Sequence, residues 1–585
     1  MTLSLLNKVQ NIESIKYIAA NDNFIIYTSE IKNRFYLKSI DLKRETTRTI
    51  FSKKEIIRII SFLNNSMDFI YESNHNGLSN IFLYREGQSF NLTPDINAYF
   101  LKLNKLNNTI YLESNERDQR FMDIYKIDLS TKEITLFFYN KSGDIISCIS
   151  EDGTSIVVNK IDRETNERSL ELIKNGGLLK YKLNIKGYPQ FFDKESNYLY
   201  IHTTIDHNFQ YIQKVCLKTM EVIEEYKYNW DIIFSFLSDS NRYLIYVTNE
   251  NGNYKLNIQD NFSNVILDTK CVPSGTLKSL SLSTDEKSLS ILIEKSNSPG
   301  DIYHFNLENL TIKKVSNILN NKSKNDLFVE GKPKIYKTRY ASFIYGQLYL
   351  PQNRGNKLPL MILVHGGPGG QSTLNFDVLI QFLCLNGYAV FAINHRGSSG
   401  YGLDYLESIN GKHGIEDLKD CIEIKECLKD NPNIDINKAG IIGTSYGAFL
   451  AFSAATFYPN EFKFSICLFG VYNWLSTLSN LPKSWENYQD IFFEKIGDPI
   501  KDKEHLINIS PYFNLKNVVN PVLFVSGGKD IRNNKRELEY IASILSKKGL
   551  VKHLHYKDEG HGLNIHKNTM DSYIRINEFI KESLI

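Results

Sequence analysis

The first place in this chain where residue types and spacing could do chemistry is Gly443-Thr444-Ser445-Tyr446-Gly447. A short apolar run at 439–442 precedes it, and a helix-forming stretch at 448–455 follows. Strand, tight turn and helix in that order make a nucleophile elbow, with the serine hydroxyl exposed at the tip. The turn brings backbones close together, so small residues must flank the serine. The same five residues would also suit an ordinary strand–helix turn, so the rest of the chain has to supply the partners that a nucleophile needs.

A serine hydroxyl is a poor nucleophile at neutral pH and requires a general base, which in turn requires an orienting acid. On such elbows the chain order is serine, acid, histidine. Four histidines lie downstream: His553, His555, His561 and His566. His553 and His555 fall in a strand pattern. His561 lies in Asp558-Glu559-Gly560-His561-Gly562, a glycine-flanked loop immediately after that strand, and is the expected base. The acid is expected just past the preceding strand, at Asp530 of Ser526-Gly527-Gly528-Lys529-Asp530, because groups of such sheets gather at the carboxyl ends of the strands. Asp558 is the alternative acid, although it sits close in sequence to His561. A helix N-cap is the alternative role for Asp530. The developing oxyanion needs preorganised donors. One is the backbone N–H of Tyr446, and the other is expected from His365-Gly366-Gly367-Pro368, which follows a strand at 359–364.

The elements that must position these groups form the second half of the chain. From Leu358 apolar runs alternate with helical segments, the mark of a mainly parallel α/β sheet. Strands are expected at 359–364, 388–394, 439–442, 464–469, 521–526 and 552–556. Helices are expected at 374–385, 415–428, 448–455, 535–547 and 569–581. Residues 321–585 read as one α/β-hydrolase domain.

The first half is a repeat. Its unit is an extended run, a polar turn and a second aromatic or β-branched run, at 15–29, 59–73, 101–114, 145–159, 189–203, 232–248 and 280–294. The turns recur about every 42 to 45 residues, a spacing typical of propeller blades. Further strands are expected between the units, at 79–85, 121–128, 254–259 and 301–307. Seven units imply a seven-bladed β-propeller over residues 15–320, closed as a ring because no blade can bury both its faces alone. Residues 1–14 are an N-terminal extension, and the polar stretch 320–325 reads as a linker.

Composition narrows the function classes. The chain has 585 residues with 69 basic and 66 acidic side chains, a net charge of +3 that does not suit a nucleic-acid binder. Seven scattered cysteines without a C-x-x-C fit reduced thiols and a cytoplasmic location. No signal peptide or membrane span is expected. Neither H-E-x-x-H nor other clustered ligand spacing is present, so neither a metal nor a cofactor is expected.

Taken together, His365-Gly366-Gly367-Pro368, the segment from Asn394 through Arg396 to Gly402, Gly443–Gly447, Asp530-Ile531-Arg532 and Gly560-His561-Gly562 resemble the prolyl oligopeptidase family of serine peptidases, most closely its acylaminoacyl-peptidase-like branch. The resemblance implies Ser445, Asp530 and His561 as the triad and the amides of Gly367 and Tyr446 as the oxyanion hole. It also implies that Arg532 contacts a substrate carbonyl. Two positions depart from relatives: His365 stands where some have a tyrosine donor, and Ser526 where many have histidine. Glu224-Glu225 is similar to the amine-binding glutamates of dipeptidyl peptidases but lacks their context, and reads as a solvated strand end. Phe469, Tyr472 and Trp474 follow a strand near the site, as an apolar pocket for the acyl side or as core aromatics. The expected function is hydrolysis of short peptides, with the propeller excluding folded proteins. An esterase or amidase on the same scaffold is the alternative, and a catalytically silent scaffold the third reading. Many relatives self-associate, and no sequence feature fixes the oligomeric state of this chain.

Overall fold

The computed structural model describes residues 13–75, 77–105, 107–141, 144–161, 168–174, 179–183, 186–316, 327–339, 343–352, 357–481 and 488–585. Nearly all of the N-terminal extension and the whole of the linker at 320–325 lie outside the described residues.

Seven antiparallel sheets of four consecutive strands fill the first half, at residues 14–53, 57–91, 98–138, 145–183, 188–226, 232–266 and 276–314. Each expected repeat unit coincides with the first two strands of one blade, as at Ser14–Ala20 and Phe24–Ile31. The hydrophobic sequence pattern is strongest there because these strands are covered on both faces. Seven apolar clusters are buried, one in each gap between neighbouring blades. The last of them joins Ile15, Ile18, Ile25 and Tyr27 of blade 1 to Leu292 and Ile302 of blade 7. Among the described residues no strand is exchanged at that seam, where packing and hydrogen bonds join the two blades. Ala20 N–H donates to Ser281 Oγ at 2.8 Å, and Asp285 N–H to Asp22 Oδ1 at 2.9 Å.

Every blade carries a β-bulge in its first strand. The extra residues are Lys16, Ile60, Leu101, Ser147, Gln190, Ile233 and Lys278. A bulge bends its strand and sharpens the twist, which lets a flat repeat fit around an axis. It is a periodic feature with no composition of its own, since the seven positions hold charged, polar and apolar residues alike.

The turns between first and second strands crowd together on one rim and bond from blade to blade. Asn65 Nδ2 reaches Asp22, Asn241 Nδ2 reaches Glu195, and Ser240 N–H donates to Glu286 Oε1 at 2.7 Å. The Lys105–Asp239 pair, at 3.2 Å, joins blade 3 to blade 6 on this rim. The turns between second and third strands occupy the opposite rim and meet the second domain. Asn33 of blade 1, Asn208 of blade 5, Asn251 and Gly252 of blade 6 and Ser296 of blade 7 all bond to it.

The second domain is an eight-stranded sheet. In chain order its strands are β1 (Gly331–Lys337), β2 (Phe343–Tyr349), β3 (Leu358–Val364), β4 (Ala389–Asn394), β5 (Ile434–Thr444), β6 (Ser465–Leu468), β7 (Val522–Gly527) and β8 (Val551–Tyr556). Their spatial order is 1-2-4-3-5-6-7-8. The first two strands form an antiparallel hairpin, and β3 through β8 run parallel. That is the α/β-hydrolase arrangement. The longer helices are α1 (Val378–Leu385), α2 (Glu416–Cys427), α3 (Tyr446–Phe457), α4 (Lys535–Ser546) and α5 (His566–Ser583). Helix α1 starts four residues later than expected because the Asp377 side chain caps it, accepting from Ile380 N–H at 2.9 Å. Two apolar clusters cover the two faces of the sheet. The short helices Trp474–Ser479, Gln489–Lys495 and Lys503–Ile509, between β6 and β7, have too few turns to leave a readable sequence period.

Candidate active site

Five loops leave the carboxyl ends of parallel strands and converge. Ser445 follows β5 with φ 55° and ψ −114°, a strained conformation that costs about 1–3 kcal/mol and marks a functional turn. Its flanking glycines are required by space. A Cβ on Gly443 would lie 1.9 Å from the Gly447 carbonyl oxygen, and one on Gly447 would lie 2.2 Å from that of Val364.

Ser445 Oγ lies 2.9 Å from His561 Nε2, and His561 Nδ1 lies 2.8 Å from Asp530 Oδ2. Nδ1–H therefore donates to the acid, leaving the Nε2 lone pair to accept the serine proton. Asp530 Oδ1 accepts the Arg532 backbone N–H at 2.9 Å, so both carboxylate oxygens are engaged. The carboxylate is 1% exposed. The N-cap of α4 is Asn534, which leaves Asp530 to the histidine. The alternative acid, Asp558, is exposed. His553 and His555 both hydrogen-bond Ser526 Oγ, at 2.8 and 2.9 Å, so this serine bridges two imidazoles on the neighbouring strand.

The glycine loop after β3 lies against the nucleophile: a Cβ on Gly366 would lie 3.2 Å from Ser445 Cβ, whereas one on Gly367 would face open space. Tyr446 is the first residue of α3, where a backbone N–H has no acceptor within its own helix and the helix dipole favours negative charge. His365 Nε2 bonds Ser398 Oγ at 2.8 Å, and its ring stacks on His395 with centroids 4.8 Å apart. Burial lowers the pKa of His365 to about 4, and burial together with the His365 ring lowers that of His395 to about 3. Both are neutral, so this wall holds the oxyanion loop without contributing a cation.

Asp417 and Glu559 are two functional supports that the sequence reading missed. Tyr446 Oη donates to Asp417 Oδ2 at 2.5 Å, and burial pushes the Asp417 carboxyl up to about 7. Asp417 thus anchors the ring of the residue whose amide is the expected oxyanion donor. A signal for it existed: Asp417 shares the core-facing stripe of α2 with Cys421 and Ile424, four and seven residues on. Glu559, 1% exposed, accepts from Asn564 N–H, Ile565 N–H and Asn568 Nδ2 at 3.0, 2.9 and 3.0 Å, which fixes the loop around His561. Arg396 pairs with Asp420 and Glu416 of α2, both at 2.8 Å, and braces the wall of the site.

Of the two readings of Tyr472 and Trp474, acyl-side pocket or core aromatics, their burial favours the core. Tyr472 and Trp474 are 4% and 7% exposed and belong to the sheet's core. Tyr472 packs edge-on against Phe452 and Phe524, and Trp474 against Phe449, because the chain after β6 turns back under the sheet. Tyr472 borders a cavity of about 270 Å³ together with Asp530 and the exposed Arg532. Phe469 meets the His561 ring edge-on at 6.2 Å. Glu224 and Glu225 lie on the outermost strand of blade 5, paired with Lys214 and Lys227. Among the described residues no group of three or more His, Cys, Asp or Glu is placed to hold a metal.

Residues 374–585 match the prolyl oligopeptidase family, and they include all three residues of the relay. The C-terminal domain is a prolyl oligopeptidase family domain. The chain is 25% identical over 350 residues to dipeptidyl peptidase family member 6 of Caenorhabditis elegans, covering 53% of this chain and 46% of that one. The matched stretch thus spans under half of that relative's length. Among solved structures, a puromycin-hydrolyzing peptidase of Mycobacterium tuberculosis superposes with a TM-score of 0.83 at 14% identity, over 99% of this chain and 96% of the other. Pyrococcus horikoshii acylaminoacyl peptidase gives 0.78 at 19% identity, over 99% and 97%. These likenesses extend the shared fold from the prolyl oligopeptidase domain across the propeller.

Proposed function

We propose that this chain is a serine peptidase that hydrolyses short peptides through an acyl-enzyme on Ser445. The observation that carries the reading is the Ser445–His561–Asp530 relay, at 2.9 and 2.8 Å, on a strained elbow beside a glycine loop. His561 Nε2 takes the hydroxyl proton as Oγ adds to the scissile carbonyl. The amides of Tyr446 and Gly367 hold the resulting oxyanion. The imidazolium, oriented by Asp530, then gives its proton to the departing amine, and a water repeats the sequence to release the acid. Arg532, beside the acid, is the candidate contact for a substrate carbonyl. The family match and the acylaminoacyl and puromycin-hydrolyzing neighbours support a peptide or amide over an ester. The seven unpaired cysteines suit a cytoplasmic setting.

The test pairs a fluorophosphonate label with a panel of aminoacyl and acyl-aminoacyl chromogenic amides. Ser445→Ala should lose labelling and about 10⁴ or more in kcat with the fold retained. Full labelling of the alanine variant, or hydrolysis of esters with no amide cleaved, would overturn the proposal.

A further inference from the structure

Blade 6 meets the hydrolase domain through a two-residue turn. Asn251 and Gly252 both take left-handed backbone, with φ 55° and 77°, which closes a tight hairpin between the second and third strands. Asn-Gly suits that geometry better than almost any other pair. From this turn and the adjacent Asn249, hydrogen bonds cross into the other domain. Asn249 Nδ2 donates to Gln371 Oε1 at 2.7 Å, and Leu374 N–H donates to the Gly252 carbonyl at 2.9 Å. Gln347 Nε2 donates to the Asn251 carbonyl at 3.0 Å, and Tyr401 Oη to Asn251 Oδ1 at 2.9 Å. Asn249 is 3% exposed, and its Oδ1 accepts from Gly252 N–H at 3.0 Å, so its own turn fixes the side chain that reaches across.

Gln371 directly follows His365-Gly366-Gly367-Pro368-Gly369-Gly370, the loop that supplies the expected oxyanion donor at Gly367. Glycine loses more backbone freedom on ordering than any other residue, and this loop has four in six positions. A donor amide must nevertheless be held to within about 0.5 Å. Gly370 N–H donates to the Gly367 carbonyl at 3.0 Å, so whatever fixes Gly370 also fixes Gly367. Gly370 is braced by Ser399, whose N–H donates to its carbonyl at 3.2 Å, and Gln371 is braced by Asn249. The two braces meet at Gly400. A Cβ there would lie 2.5 Å from both Asn249 Nδ2 and Gln371 Nε2, so a propeller side chain explains a glycine of the Asn394–Gly402 segment. The surroundings are not close-packed: Asn249, Gln371, Thr373 and Gly400 line a cavity of about 580 Å³ between the domains. The hydrogen bond therefore sets the spacing there. Beyond it, Asn394 holds Ser372 within the hydrolase domain, through its N–H at 2.6 Å and its carbonyl at 2.9 Å.

We propose that Asn249 of the propeller is a positioning residue for the oxyanion loop, acting through Gln371. The inference rests on the peptidase reading and adds to it a residue outside the catalytic domain. Asn249 touches no reacting atom; it fixes the end of the loop whose amide receives the developing charge.

The test uses the full-length enzyme, a chromogenic amide that it cleaves, the peptide aldehyde of the same sequence, and hydrogen exchange. Asn249→Ala and Gln371→Ala should each lower kcat by about 10- to 100-fold with KM within about threefold, because Asn394 still holds Ser372 and the loop shifts without unfolding. The double variant should lose no more than the worse single, since either change cuts the same bond. Ser445 Oγ adds to the aldehyde to give a hemiacetal whose oxygen sits where the oxyanion would, so Ki should rise by the factor by which kcat falls. The pH midpoint of activity, which reports His561, should not move. Asn208→Ala is the control. It removes a bond between the same two domains, from Asp404 N–H to Asn208 Oδ1 at 2.8 Å, that does not bear on the glycine loop. Its kcat should stay within about threefold of wild type. Exchange over residues 365–374 should be about tenfold faster in Asn249→Ala and unchanged in Asn208→Ala. Unchanged kcat and Ki in Asn249→Ala and Gln371→Ala, additive losses in the double variant, or an equal loss in Asn208→Ala would overturn the inference. Gln371→Ala carries the same kcat-against-KM split should Asn249→Ala not fold. If the wild type cleaves no amide or peptide, the peptidase reading fails and exchange alone decides, faster exchange upholding the tie and unchanged exchange overturning it.

Discussion

Gly527, outside every recognised motif, should matter more to activity than Gly560, which sits in one. Gly527 ends β7 and begins the loop to Asp530. A Cβ there would lie 2.1 Å from the Gly560 carbonyl oxygen and 2.5 Å from that of Glu559. Carbon–oxygen contacts settle near 3.3 Å, so Gly527→Ala must drive the two loops apart by about 1.2 Å. His561 is the next residue, and its 2.9 Å bond to Ser445 Oγ would open beyond hydrogen-bonding range. The Lys529 N–H bond to the Glu559 carbonyl, at 2.8 Å, ties the loops together at the same point. A misplacement of about 1 Å costs about 100-fold in rate, and overpacking costs about 1–3 kcal/mol of stability. A Cβ on Gly560 would meet nothing within 4 Å, and its backbone is not left-handed, so Gly560→Ala should stay within about threefold of wild type. The assay is kcat/KM on a chromogenic amide together with the rate of fluorophosphonate labelling, with melting temperatures to confirm folding. Near-wild-type activity of Gly527→Ala, or equal losses in the two variants, would refute the reasoning.

Asp530→Asn should lower kcat by about 10⁴, because an amide cannot hold the His561 tautomer, whereas Asp558→Asn should leave kcat unchanged; the reverse pattern would make Asp558 the acid. His395 has its folded pKa depressed from about 6.5 to about 3, so the unfolded chain binds the proton first and stability is lost as pH falls; between pH 6.5 and pH 4 this amounts to about 3 kcal/mol. Denaturant unfolding of His395→Leu should show an acid slope shallower by that amount, and an unchanged slope would place the titrating group elsewhere. One scissile sequence should be cleaved faster in a short peptide than in a long disordered chain or a denatured protein, and equal kcat/KM in all three would deny the propeller a role as filter.

The sequence revealed the repeat, the sheet and the relay for identifiable reasons. Strands buried within the blades write long apolar runs, so the first two strands of each blade are visible while short outer strands, such as Gln88–Asn91 and Val265–Ile266, are not. The relay was legible because each member follows a strand and sits among glycines that the turn requires. Tyr472 and Trp474 were ambiguous because sequence proximity to a strand end does not say which way the chain turns next. Asp417 and Glu559 were hidden by their type: an isolated acid reads as solvated until its burial and its donors are known. The bulges depend on pairing register, which composition does not record.

The seam of the propeller and the histidine loop are mechanically one region. Among the described residues blades 1 and 7 share no strand, and the Ile15–Leu292 cluster and hydrogen bonds between the blades join them. The hydrolase domain holds both sides of that seam. On blade 7, Ser296 Oγ accepts from Gly331 N–H at 2.8 Å and its carbonyl accepts from Gln381 Nε2 at 2.6 Å. On blade 1, Asn33 Nδ2 donates to the Asn564 carbonyl at 3.2 Å. Asn564 N–H in turn donates to Glu559, whose carboxylate sets the loop carrying His561. Two hydrogen bonds, Asn33 to Asn564 and Asn564 to Glu559, thus run from blade 1 at the seam to the loop that carries the catalytic base. Opening of the seam and displacement of His561 share these bonds, and so a propeller that merely covers the site also holds its general base in place.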